Sequence, residues 1–137
     1  MSVKLRPRDD DFLSAHRWAV LTTLRASGSP VSSVVAYARD GDDFVVSTPG
    51  ATFKRASLER DPRVNLCVIS NAEPFNFVAL EGTASVEHDD LLRRTRLVFE
   101  NLTDTGYQEP ADLAKWLKDQ QRVILRIRPE RVHAVIR

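Results

Sequence analysis

The sequence predicts a mainly β protein: a closed or nearly closed antiparallel barrel of six strands with peripheral helices. Short runs rich in β-branched residues recur along the chain, and turn residues separate them. Regular alternation of strands with helices is missing, which disfavours a doubly wound parallel sheet. The length of 137 residues suits a single domain over residues 1–137, in which short strands close around a packed interior.

The chain is predicted to begin with one helix and three strands. A helix over residues 9–15 begins with three aspartates, which favour the N-terminal end of a helix dipole. Strands follow at residues 18–25 and 31–39, and a Ser-Gly-Ser-Pro cluster turns the chain between them. An Asp-Gly pair then predicts a tight hairpin into a third strand at residues 43–48.

The second half supplies the remaining three strands. The fourth is predicted at residues 63–70 and the fifth at residues 75–87, where Gly82 indicates a bulge or a bend. The sixth covers residues 122–128, in which apolar side chains alternate. Pro129 interrupts this strand before an extended pattern resumes, and the proline indicates a bend or an edge there.

Two helices are predicted between the fifth and sixth strands. Apolar residues recur at helical spacing over residues 89–102. A second helix is predicted from Pro110, because proline is favoured at a first helical position. Leu113, Trp116 and Leu117 form its apolar stripe, which we interpret as part of the core.

Composition excludes several classes of protein. The chain is 42% hydrophobic and 28% charged, as is typical of soluble globular proteins, and its net charge of +1 does not indicate nucleic-acid binding. No apolar run reaches the roughly 18 residues of a membrane span, and the N-terminus lacks the apolar segment of a signal peptide. We therefore expect a cytoplasmic protein. A single cysteine and three scattered histidines predict no metal site.

A candidate phosphate site lies where the third strand meets a short helix. The strand ends in Ser47 and Thr48, a Pro-Gly turn follows, and the helix opens with Thr52, Lys54 and Arg55. Hydroxyl groups, free backbone N–H groups and cations at a helix N-terminus bind phosphate. The alternative is that Thr52 caps the helix and that the two cations are solvated surface charges.

Lys54 is the preferred cation of this candidate site. Adjacent helical residues diverge by about 100°, so Lys54 and Arg55 cannot face one phosphate equally. A solvent-facing or subunit-contact role for Arg55 is an equal alternative.

Two motifs carry a resemblance to a known family. The run K-x-x-x-L-x-R-D-P-R-V spans residues 54–64, and E-G-T-A spans residues 81–84. Their order and spacing resemble the split β-barrel superfamily of pyridoxamine 5′-phosphate oxidase, which includes FMN-binding barrels. Within it, the chain is most similar to the flavin/deazaflavin oxidoreductases of the B group, which bind coenzyme F420.

The resemblance implies a homodimer with two cofactor sites at the subunit interface, and F420 as cofactor with FMN as the alternative. It also implies a small unsaturated organic substrate. Phe75 and Phe77 would reach the site from the partner subunit. The cofactor-binding positions implied in this way are Ser33, Val34, Val35, Val46, Ser47, Thr48, Thr52, Phe53, Lys54, Arg55, Phe75 and Phe77.

No catalytic acid–base pair stands out in the sequence. A cofactor that carries out hydride transfer leaves the protein chiefly to bind and orient the reactants. The proton that completes a reduction has three candidate sources: solvent, Tyr37 or a residue of the partner subunit. Two other functions stay open: an FMN-dependent oxidase or flavin reductase, and a non-catalytic barrel that carries the cofactor, haem or another planar ligand.

Overall fold

One antiparallel sheet of seven strands, with four helices around it, makes up the computed structural model, which describes residues 3–137. The strands are β1 (Trp18–Leu24), β2 (Pro30–Ala36), β3 (Ala38–Asp40), β4 (Asp43–Thr48), β5 (Arg63–Ile69), β6 (Phe77–Glu87) and β7 (Val123–Val135). The helices are α1 (Pro7–Ala15), α2 (Phe53–Arg60), α3 (Leu91–Asn101) and α4 (Leu113–Asp119).

The order of the strands makes the sheet curl into a barrel. The order is β2-β1-β5-β6-β7-β4-β3, so the consecutive strands β2 and β3 lie at opposite edges. Only Tyr37 separates these two strands along the chain, which brings the two edges of the sheet together. The predicted mainly β barrel is confirmed. The second of the six predicted strands is divided at Tyr37, however, and this division accounts for the seventh strand.

Alternating side chains fill the interior of the barrel. Ala19 and Leu21 of β1 are buried, and Leu66, Leu80 and Leu125 join them from β5, β6 and β7. A second, smaller cluster forms where α3 covers the outer face of β3, β4 and β7. Its buried members are Ala38, Val45, Val98, Leu102 and Ile124.

The pairing of β6 with β7 contains the predicted bulge. Glu81 pairs with Arg131 and Gly82 pairs with Pro129, so Glu130 is an extra residue on β7. The predicted interruption of the last strand at Pro129 is wrong, because β7 continues through it. A proline is tolerated in this position because the ladder is already irregular at the bulge.

The starts of two helices differ from the prediction. α1 begins at Pro7 rather than at residue 9, because a proline in the first turn loses no helical hydrogen bond. α4 begins after Asp112 rather than at Pro110, and the Asp112 carboxylate accepts a hydrogen bond from the backbone N–H of Lys115 at 3.1 Å. Across residues 3–137, no helix is both long and apolar enough to cross a membrane.

Gly82→Ala is expected to lower the free energy of unfolding by about 1–3 kcal/mol, the range for overpacking a well-packed site. A Cβ at Gly82 would collide with the carbonyl group of Arg128 and crowd the Cα of Pro129. Urea denaturation followed by circular dichroism measures the effect. Gly106→Ala is the matched control, because a Cβ there meets no atom within 4 Å. Equal stability of the two variants would contradict a close backbone contact at the bulge.

Candidate functional site

The candidate site is a groove between β2 and β4, where the wall of the barrel is open. β3 pairs with β4 so that Ala38 lies opposite Val45. Continued in the same register, Ala36 would lie opposite Ser47. The residues that precede Ala38 do not pair with β4 in this way. They belong to β2, which pairs with β1 alone. The edge of β2 and the end of β4 therefore lack a strand partner on the sides that face each other, and a groove of about 400 Å³ lies between them.

Tyr37 fixes the point at which the chain leaves β4. Its buried hydroxyl group lies 2.7 Å from the carbonyl oxygen of Leu13 and 2.8 Å from that of His16, and it donates to them. Its own carbonyl oxygen accepts a hydrogen bond from Asn101 Nδ2 at 2.9 Å, so this group is satisfied without a strand partner. Burial raises the pKa of Tyr37. This side chain is therefore structural, and it is no longer a candidate proton donor.

Hydroxyl groups gather at one end of the groove. Thr48 Oγ1 donates to Thr52 Oγ1 at 3.2 Å, and Thr95 Oγ1 donates to Ser47 Oγ at 3.2 Å. Thr52 occupies the N-cap position of α2, but its side chain makes no capping hydrogen bond. The first N–H groups of α2 are consequently left without a side-chain partner. Thr52 thus stands at the N-cap, as the alternative predicts, but it does not cap the helix through its side chain.

Lys54 and Arg55 have different surroundings, as the helical spacing predicts. Lys54 lines the groove, is partly exposed, and makes no hydrogen bond or ion pair with a described residue. Arg55 Nε donates to Glu59 Oε1 at 2.9 Å, and its Nη1 donates to the carbonyl oxygen of Gly50 at 3.3 Å. Lys54 is thus the cation of α2 that is free to meet an anion in the groove.

The structure brings together half of the predicted site residues. Ser33 stands opposite the buried Leu21, so its side chain lies on the interior face of the sheet. Phe53 is 49% exposed beneath the guanidinium group of Arg25. Arg55 lies beside the groove and Thr52 is linked to it through Thr48. The predicted residues that line the groove are Val34, Val35, Val46, Ser47, Thr48 and Lys54.

Phe75 and Phe77 lie outside the groove of their own chain. Phe75 is 61% exposed in the turn before β6, which begins at Phe77 rather than at the predicted Phe75. The ring of Phe77 lies 5.5 Å from the ring of His133 on the neighbouring strand. Their predicted contact with a partner's cofactor remains a prediction.

Four aromatic side chains that sequence reasoning missed also line the groove. Trp18 meets Tyr107 edge to face at 5.5 Å, and Phe99 meets Trp116 edge to face at 5.7 Å. The interpretation of Trp116 as core is wrong, because it lines the groove beside two buried leucines of α4. Tyr107 could have been singled out from the sequence, because it is an aromatic residue in the otherwise polar loop of residues 103–109.

Arg122 is a second cation that the sequence analysis did not single out. Its guanidinium group lies 4.0 Å from the ring of Trp116. Nη1 donates to the carbonyl oxygen of Ser47 at 3.1 Å, and Nε donates to Gln120 Oε1 at 2.8 Å. Burial lowers the pKa of Arg122, but an arginine remains charged at neutral pH.

The groove is positively charged. Lys54 and Arg122 line it, and no described lining residue is acidic. Across the described chain, no three His, Cys, Asp or Glu side chains are grouped so as to hold a metal ion. The arrangement suits a ligand that has a flat apolar portion and an anionic group.

A second groove of similar size lies on the outer face of the sheet at the bulge, with a volume of about 410 Å³. Its charged lining residues have mixed signs: Arg63, Glu81, Glu130 and Arg131. It has no aromatic lining residue among those described. The groove between β2 and β4 is therefore the better candidate for a planar anionic ligand.

An antiparallel split barrel with a cationic groove at the split defines the structural class of this protein. The chain belongs to the pyridoxamine 5′-phosphate oxidase family, whose model matches residues 5–136. Over 124 residues it is 31% identical to an F420H2-dependent biliverdin reductase of Mycobacterium tuberculosis (strain CDC 1551 / Oshkosh). That match covers 88% of this chain and 81% of the relative.

Solved structures share the fold. A conserved hypothetical protein from Mycobacterium tuberculosis superposes with a TM-score of 0.77 at 26% identity, covering 97% of this chain and 85% of that one. An F420 reductase superposes with a TM-score of 0.75 at 20% identity, covering 94% of this chain and 98% of that one. At 20% identity, the similarity to the F420 reductase shows a shared fold and nothing further.

Proposed function

We propose that this protein is an oxidoreductase that uses coenzyme F420 to transfer a hydride between the deazaflavin and a small unsaturated organic substrate. The observation that carries the proposal is the groove at the split, which joins aromatic walls to an unpaired Lys54. The F420H2-dependent biliverdin reductase, at 31% identity, supports this choice of cofactor.

The walls of the groove fit a fused ring system. Trp18, Phe99 and Tyr107 offer aromatic surface, which favours stacked or edge-to-face contacts with a planar ligand. Residues 34–36 and 46–48 belong to strand edges that lack a partner on the groove side. Their backbone N–H and C=O groups can therefore bond to the polar edge of such a ring.

The hydroxyl end of the groove fits the phosphate of the cofactor. Lys54 supplies a charge, Thr48 and Thr52 supply hydroxyl groups, and α2 supplies free N–H groups at its positive end. A phosphate held there fixes the cofactor along the groove, so that its ring lies toward the aromatic walls.

When bound, a reduced deazaflavin supplies the hydride. The residues of this chain bind, orient and shield the reactants, and orientation alone contributes roughly 7 kcal/mol or more to catalysis. None of the described residues that line the groove is Asp, Glu, His or Cys. Of the lining residues that can donate a proton, Lys54 is assigned to the phosphate and Tyr107 is exposed. We therefore assign the proton that completes the reduction to solvent, to Tyr107 or to a residue of a second subunit.

A second copy of the chain is the proposed partner. A row of apolar residues crosses four neighbouring strands on the outer face of the sheet: Val34, Val20, Cys67 and Ala79. Val34, at the edge of the sheet, is 67% exposed. An apolar row of this kind is typical of a subunit interface. In the proposed homodimer, Phe75 and Phe77 approach the groove of the partner.

Two other functions are weighed against this proposal. FMN carries a ring of similar shape and one phosphate, so an FMN-dependent oxidoreductase is the alternative within the same groove. Haem is less compatible, because the described lining residues include no His, Cys or Met, and Tyr107, which is 62% exposed, is the one of them whose type ligates haem iron. A non-catalytic carrier would bind the cofactor tightly without turnover.

Separate titrations of the purified protein with F420 and FMN are expected to give the lower dissociation constant for F420. Reduced F420 should then support reduction of biliverdin, the acceptor named for the relative, or of quinone-like or enone-like acceptors. Tighter binding of FMN, with no reduction supported by F420, would replace F420 with the FMN alternative. Tight binding of F420 without turnover of any acceptor would favour a carrier.

Lys54→Ala is expected to weaken F420 binding by about 1.5–3 kcal/mol, the range for a hydrogen bond to a charged group. The hydroxyl groups and the start of α2 remain, so binding should weaken without being lost. Titration calorimetry measures the change. Lys118→Ala removes the same charge from an exposed position of α4 outside the groove and should leave the affinity unchanged. Wild-type affinity in a folded Lys54→Ala variant would refute the phosphate assignment.

Light scattering in solution is expected to give twice the 15.5 kDa mass of the chain. A chain of this size that keeps an apolar row on its outer face is stabilised when a second copy covers that row. A monomer that persists at micromolar concentration would contradict the proposed homodimer.

A further inference from the structure

Arg122 is a partly buried arginine of the groove that has no carboxylate partner, unlike the partly buried Arg94 and Arg126. Arg94 contacts Asp40 and Glu87, and Arg126 contacts Asp43 and Glu87, so both of those guanidinium groups are compensated. Arg122 contacts only a carbonyl oxygen, an amide oxygen and an aromatic ring. A partly buried charge without a counter-ion is unusual, because burial favours ion pairing.

The contacts of Arg122 fix its guanidinium group but leave donors unused. Nε is directed to Gln120 and one Nη1 hydrogen to Ser47, while the ring of Trp116 supports one face of the group. A guanidinium group has five N–H donors in a rigid planar fork. The remaining donors have no acceptor among the described residues, and Arg122 lines the groove.

The same region of the chain connects Arg122 to the predicted phosphate site. Arg122 bonds to the carbonyl oxygen of Ser47, one residue before Thr48. Gly50 packs so closely on the backbone of Gln121 that any Cβ at Gly50 would collide with its carbonyl oxygen. The turn that leads into α2 is therefore held against the start of β7, so Arg122 and Lys54 border the same end of the groove.

We propose that Arg122 is a further anion-binding residue, which together with Lys54 holds the phosphoryl group of a phosphorylated planar cofactor. The inference rests on the proposed function and extends it to the residue that precedes β7. A planar guanidinium group bonds to phosphate oxygens through paired N–H donors, whereas a lysine acts as a point charge. The two side chains thus have different roles: Lys54 supplies charge, and Arg122 also orients the phosphoryl group.

The test compares FMN with riboflavin, a pair that differs only in the phosphoryl group. F420 and its unphosphorylated deazaflavin core form a second pair, which differs in the phosphate and in the lactyl-oligoglutamate tail attached to it. Titration calorimetry is used because a change beside Trp116 would alter tryptophan fluorescence directly. Arg122→Gln is expected to weaken binding of the phosphorylated members about 10- to 150-fold, the effect of losing a hydrogen bond to a charged group. Binding of the unphosphorylated members should change less than about threefold.

Two variants complete the design. Arg122→Lys keeps the charge but not the fork, so we expect a smaller loss for the phosphorylated ligands; it also provides the test if Arg122→Gln does not fold. Arg128→Gln removes an exposed arginine of β7, the strand that follows Arg122, at a position outside the groove, and this variant should bind as the wild type does.

The outcomes separate this inference from the proposed function. Equal weakening of phosphorylated and unphosphorylated ligands, or no weakening of either, would overturn the role of Arg122 while leaving the groove as a cofactor site. Failure of the wild-type protein to bind FMN or F420 would overturn the proposed function and the role of Arg122 together.

Discussion

The hydrogen bond from Asn101 to the carbonyl oxygen of Tyr37 is the contact on which the site depends. It satisfies a strand carbonyl at the point where β2 and β3 separate, and the Tyr37 hydroxyl group ties the same residue to the connection after α1. Without such substitutes, an unpaired buried carbonyl would favour continued pairing with β4. A continuous strand there would occupy the space that the groove now provides.

The charge distribution of the groove has an energetic consequence for the protein without a ligand. Lys54 and Arg122 face a space whose other walls are largely apolar, so an anion bound there relieves unfavourable desolvation and repulsion. A ligand that binds only the folded chain raises its free energy of unfolding by RT ln(1 + [L]/Kd). An anionic ligand that bound only the folded chain at this groove would thus stabilise the fold.

The sequence predicts features that are local along the chain and misses those assembled from distant elements. The hydroxyl-lined end of the groove was predictable because Ser47, Thr48 and Lys54 lie within one strand–turn–helix segment. Trp116 was interpreted as core because it belongs to the apolar stripe of a helix. Helical spacing does not show whether the surface that such a stripe faces is the core or a groove. Arg122 is one of several arginines around an apolar strand, and only the tertiary contacts show that its neighbours include no carboxylate. The break at Tyr37 was missed because it depends on Asn101, far along the chain.

Strand β7 contributes to the order in which the barrel is assembled. It is the partner of both β6 and β4, and the pairing of Phe44 with Ile127 spans most of the chain. Contacts of such large sequence separation carry a high loop-closure entropy and slow the folding of β-rich domains. During synthesis, β4 has no partner on that side until the last strand leaves the ribosome. The groove is therefore completed late, after most of the barrel wall is available.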